Sequence, residues 1–132
     1  MARRIGILVN PDAGLGGRLG FKGSDGRAAE ARAAGAEDRS GPRMRQALER
    51  CQTRLDDVEI LTCSGRMGSV WIPMEHSVVF ETPELTSAKT TREAVATLCE
   101  SGIELLLYAG GDGTTRDIIE SLAEPELPVI GV

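Results

Sequence analysis

A chain of 132 residues has room for one ordinary domain, and 41% hydrophobic with 27% charged content excludes a disordered or fibrous protein. With 15 Lys and Arg against 20 Asp and Glu the net charge is -5, which argues against a general nucleic-acid binder. Aromatic residues make up only 3%, so Leu, Ile, Val, Met and Ala must build the core, while glycine reaches 16 residues. The charge is uneven: residues 1–50 hold ten Arg and Lys with six Asp and Glu, and residues 51–132 hold five with fourteen. A basic, glycine-rich front on an acidic body suits a small anionic ligand. Most of Arg27, Arg32, Arg43, Arg45 and Arg50 fit solvated helix faces.

Residues 4–9 form an apolar run stopped by Asn10 and Pro11, which reads as a buried strand entering a turn. The pattern then fades over residues 10–41, where eight of the sixteen glycines fall, although the alanine-rich residues 27–34 predict a helix. Pro42 stands where the first residue of a helix would be, with Met44, Ala47, Leu48, Cys51 and Leu55 forming one apolar stripe. Residues 58–62 predict a second strand, residues 64–74 at most a helical turn, and residues 77–80 a third strand. Thr90 with Glu93 has capping-box spacing for a helix that stops at Gly102 and buries Ala94, Val95 and Leu98.

Residues 103–109 are the clearest strand, followed by Gly110, Gly111, Asp112, Gly113, Thr114 and Thr115. A helix starting near Thr114 follows, with Ile118, Ile119 and Leu122 on one side, and residues 127–132 predict a last strand. Strands alternating with helices, each strand nearly continuous in apolar residues, indicate a three-layer α/β sandwich. Its mostly parallel sheet would have about five strands, forming one domain over residues 1–132. An apolar strand with nothing following it carries the expectation that this domain belongs to a longer design.

Cys51, Cys63 and Cys99 are odd in number and lack metal or redox spacing, so a reduced, cytoplasmic setting is expected. The apolar run at residues 5–9 is too short for a signal peptide, and no segment approaches a membrane span. His76 stands alone, too few parts for a histidine metal site or a serine triad.

The chemistry concentrates at residues 110–114. A buried parallel strand ending in glycines and entering a helix offers unpaired N–H groups and partial positive charge to a phosphate. Asp112 would project into the crevice, able to take a proton or organise a metal ion. Asp-Gly is also a hairpin signal, but the flank that follows is helical rather than alternating. The front loop, with Gly14, Gly16 and Gly17, matches neither a Rossmann fingerprint nor a Walker A loop.

The Gly-Gly-Asp-Gly-Thr run, its preceding apolar strand and the following Arg116, Asp117 and Ile118 resemble the NAD kinase and diacylglycerol kinase superfamily. Asn10 with Pro11, Gly14, Gly16 and Gly17 resemble its first loop. Residues 22–26, Thr90 and Thr91 are similar to the ATP-NAD kinase-like branch. The resemblance implies phosphoryl transfer from ATP or polyphosphate to the 2′-hydroxyl of NAD, with a divalent metal such as Mg2+. It casts Asp112 as the catalytic carboxylate. It places Gly110, Gly111, Gly113, Thr114, Thr115, Asn10, Gly14, Gly16 and Gly17 around the nucleotide. It further implies a β-rich second domain that completes the NAD site, so this chain is expected to be incomplete as an enzyme. A separate second domain or a homo-oligomer remains open, with ATP and NAD as small-molecule partners and neither nucleic acid nor membrane. Two competing readings are a non-catalytic nucleotide-sensing module and a lipid kinase-like relative. The latter is disfavoured because no amphipathic membrane-binding helix is evident.

Overall fold

Five strands, among the residues described, line up in one all-parallel sheet: β1 (Arg3–Val9), β2 (Val58–Cys63), β3 (Ser77–Phe80), β4 (Leu105–Ala109) and β5 (Val129–Gly131). The computed structural model describes residues 3–12, 39–122 and 126–132. The strand order is β3-β2-β1-β4-β5, so β1 lies at the centre, pairing Ile7 with Thr62 on one side and with Leu107 on the other. Three helices connect the described strands: α1 (Ser40–Cys51), α2 (Ala88–Glu100) and α3 (Asp112–Ser121).

Period-2 alternation splits the strand side chains into two cores. Ile7, Val9, Ile60 and Ala109 face α1, meeting its Met44 and Leu48. Leu8, Leu61, Cys63, Leu106 and Tyr108 face the opposite way, against Ala94, Val95 and Leu98 of α2 and Ile118 of α3. Each fully buried Leu or Ile contributes about 1.5–3 kcal/mol relative to exposure, which is how a core with few aromatics holds together. Helices thus cover both faces, giving the expected three layers.

Several boundaries differ from the sequence reading. The sheet is wholly rather than mostly parallel. Helix α1 starts at Ser40, so Pro42 is its third residue; the first turn has no use for that N–H, so proline is tolerated there. It ends at Cys51, and Leu55 lies beyond it, after a 3-10 turn at Gln52–Arg54. The cap of α2 is Ser87, not Thr90: Thr90 instead returns a side-chain bond to the Ser87 N–H at 3.1 Å, closing a capping box without Glu93. Gly102, at φ 82°, does follow the helix end in the left-handed region that an L side chain rarely adopts.

Strand β4 starts at Leu105 rather than residue 103, because Ile103 turns into the core ahead of it. Helix α3 begins two residues before Thr114, and Ile119 is 60% exposed because α3 buries only its Ile118 side, in the core it shares with α2. Residues 127–132 contribute a strand of three residues. Between β2 and β3 the connection consists of two 3-10 turns, Gly65–Met67 and Ser69–Trp71, where the sequence reading allowed a single helical turn. The helix expected at residues 27–34 lies outside the described residues.

Candidate functional site

The chain lays down β1, β2 and β3 to one side and then returns to place β4 and β5 on the other. The strand order therefore reverses between β1 and β4, and open α/β sheets bind ligands outside the carboxyl ends of strands at such a switch point. Asn10 follows β1 and Gly110 follows β4, so these two strand ends border the crevice.

Asn10 ties the borders together. Its N–H donates to the Ala109 carbonyl at 2.9 Å, and its side-chain Nδ2 donates to Thr114 Oγ1 at 2.8 Å. Its Oδ1 accepts the Asp12 N–H at 3.1 Å, holding the turn that leaves β1. Thr114 is buried in the first turn of α3, and it explains Gly110: a Cβ there would sit 2.5 Å from Thr114 Oγ1. Thr115 is held separately, its Oγ1 2.6 Å from the Tyr108 hydroxyl and 3.2 Å from the Gly111 carbonyl.

Gly111 and Gly113 differ from Gly110. Both are exposed, and a Cβ on either would meet no described atom within 4 Å. Gly111 has φ -99° and ψ -165°, extended backbone open to any residue. Packing among the described residues therefore leaves both free to take a side chain, while a ligand lying on the backbone would exclude one.

Gly111 caps α3 without a side-chain hydrogen bond, and the first intrahelical bond runs from the Thr115 N–H to the Gly111 carbonyl at 3.0 Å. The N–H groups of Asp112, Gly113 and Thr114 precede that bond, so the helix start offers donors and partial positive charge. Asp112 is its exposed first residue, a carboxylate at the lip of the crevice.

Two further ties extend the site along the sheet edge, and the sequence reading missed both. Thr86 Oγ1 donates to Asp12 Oδ2 at 2.7 Å, joining the turn after β1 to the segment before α2. Thr82 Oγ1 donates to the Ser64 carbonyl at 2.6 Å, while its N–H donates to Ser64 Oγ at 2.8 Å. The Asn-Pro-Asp turn was a readable signal for Asp12; its partner 74 residues away was not.

Of the expected site residues, Asn10, Gly110, Gly111, Asp112, Gly113, Thr114 and Thr115 come together at these strand ends. Gly14, Gly16 and Gly17 lie outside the described residues. Among the described residues, no group of three or more His, Cys, Asp or Glu side chains is placed to hold a metal ion. Among them also, no helix is long and apolar enough to cross a membrane.

No curated protein and no solved structure matches the chain. A family profile described as ATP-NAD kinase N-terminal domain matches residues 5–132, from the first strand to the last residue. Its α/β fold and all-parallel sheet agree with that match, and the chain belongs to the ATP-NAD kinase N-terminal domain family.

Proposed function

We propose that the chain holds the phosphates of ATP or polyphosphate between the ends of β1 and β4, and serves transfer of the terminal phosphoryl group to the 2′-hydroxyl of NAD. The observation that carries this reading is the Asn10–Thr114 hydrogen bond. It sets the uncapped start of α3 at the switch point, beside two glycines whose missing side chains serve no described neighbour.

Phosphoryl transfer depends on positioning and charge stabilisation more than on covalent participation. The backbone N–H groups at the α3 start receive phosphate oxygens, and Gly111 and Gly113 let those oxygens approach. Asn10 keeps the two loops in register. Asp112 faces the acceptor, where its carboxylate takes the proton of the attacking hydroxyl.

Mg2+ is held by one or two carboxylates with substrate phosphates and water rather than by an all-protein cage. A single exposed carboxylate beside a phosphate-binding helix start fits that donor set. When bound, the ion would neutralise charge on the phosphoryl oxygens. In this reading residues 1–132 are the nucleotide-binding domain, and a β-rich second domain or another copy completes the NAD side. The free thiols of Cys51, Cys63 and Cys99 fit a reducing, cytoplasmic setting.

Calorimetry with ATP and NAD, with and without Mg2+, combined with an assay for NADP, tests this reading. ATP binding is expected in the native chain and in Asp112→Asn, with any NADP formation lost in the variant. Binding without turnover under every condition would favour a nucleotide-sensing module. Full turnover in Asp112→Asn would remove the assigned role.

A further inference from the structure

Away from the nucleotide site, the connection between β2 and β3 brings together Ser69 and His76. Ser69 Oγ lies 2.8 Å from His76 Nε2, and His76 Nδ1 lies 2.8 Å from the Met74 carbonyl oxygen. A carbonyl only accepts, so in the neutral ring Nδ1 carries the proton and Nε2 is left to accept from the Ser69 hydroxyl. A hydroxyl bonded to an imidazole, with the imidazole oriented by a third group, is the signature of an activated nucleophile. The nucleotide site uses neither residue.

The turn that carries Ser69 adds a backbone donor beside it. Ser69 opens the turn Ser69–Trp71, whose bonds run from the Trp71 N–H to Gly68 and from the Ile72 N–H to Ser69. The Val70 N–H lies outside those bonds, on a residue 48% exposed. The residue after a nucleophile is a common source of an oxyanion donor. The turn is braced: Trp71 Nε1 donates to the Arg66 carbonyl at 2.9 Å, and Arg45 donates to the Val70 carbonyl while lying over the Trp71 ring.

Together with Leu55, Met74, Asp56, Asp57, Glu59 and Glu75, His76 also lines a cleft of about 810 Å³ that Ser69 does not line. Its four carboxylates surround the approach to His76 with negative charge and so disfavour anionic substrates.

We propose that Ser69 and His76 form a nucleophile–base pair that accepts acyl groups from neutral or cationic esters. Ser69 Oγ forms a bond to the ester carbonyl carbon as its proton passes to His76 Nε2. The ester C–O bond breaks, and His76 returns the proton to the leaving alcohol. Water, deprotonated by the same imidazole, then releases the carboxylic acid and restores Ser69.

The test uses the full chain and para-nitrophenyl acetate, following phenolate release and mapping the acetyl group by peptide mass spectrometry. Acetylation is expected at Ser69, absent from that peptide in Ser69→Ala and slowed about a hundredfold in His76→Gln. Circular dichroism checks that both variants fold. If Ser69→Ala does not fold, Ser69→Cys replaces it, with thiol acetylation expected to depend on His76. Acetyl groups confined to lysines, other cysteines or the amino terminus would overturn the proposal. So would equal labelling of Ser69 in native chain and His76→Gln. Either result leaves the nucleotide reading untouched, because neither Ser69 nor His76 takes part in the Asn10–Thr114 junction or the start of α3.

Discussion

Asn10 Nδ2 and Thr114 Oγ1 are 2.8 Å apart across 104 positions of sequence, and their bond joins the ends of β1 and β4. Thr114 is buried and Asn10 half-buried, so neither partner can be removed without leaving a polar group short of its bond. Thr114→Val keeps the shape and deletes the acceptor. It is expected to lower stability by about 1–3 kcal/mol in urea denaturation and to weaken ATP binding, whereas Thr114→Ser should preserve both.

The three glycines of the motif should separate under alanine substitution. Gly110→Ala drives a Cβ into the Thr114 side chain and should cost about 1–3 kcal/mol in the denaturation midpoint. Gly111→Ala and Gly113→Ala meet open space, so both should fold normally. Gly113→Ala, inside α3, should even gain about 1 kcal/mol from helix propensity. ATP affinity should nevertheless fall in both. Unchanged affinity would mean that the backbone there does not touch the ligand.

Ser87 begins α2 through a reciprocal exchange with Thr90. Ser87→Ala should cost about 1 kcal/mol, read as a lower thermal midpoint, and Ser87→Gly only a few tenths of that.

Burial pushes the Cys63 thiol up to about 12 from its ordinary 9.0. Below the ordinary value both folded and unfolded chains hold the proton, and the thiol leaves stability independent of pH. Above it the unfolded chain releases the proton while the folded chain retains it, so stability falls as pH rises toward the folded value. Between about pH 9 and pH 12 this slope approaches about 1.4 kcal/mol per pH unit. The native chain should therefore lose more stability than Cys63→Ala between neutral and alkaline urea titrations. Parallel titrations would contradict the buried-thiol account.

Much of the site could be read before the fold was known. The strand, glycines and helix at residues 105–121 are contiguous, and each depends on neighbours a few residues away. The face of α2 with Ala94, Val95 and Leu98 was equally legible from its spacing, and all three are fully buried. Ile119 was not, because periodicity places it beside Ile118 while packing covers only one of them. The Ser69–His76 pair was hidden for a different reason. Its orienting group is a backbone carbonyl, which no residue inventory displays, and two turns must fold the chain back to supply it.

The amino-acid sequence alone determined the alternation of strands and helices, the low-aromatic core and the position of the glycine-rich turn. These follow from periodicity, capping and turn chemistry, which act over short stretches of chain. The tertiary structure decided that β1 lies at the centre of the sheet, next to β4, and so which strand ends meet. Strand order depends on long-range burial of both sheet faces, and on that order rests the pairing of Asn10 with Thr114. It likewise decided that Gly110 is required by its neighbour while Gly111 and Gly113 stand open, a distinction that three identical residues cannot carry in sequence.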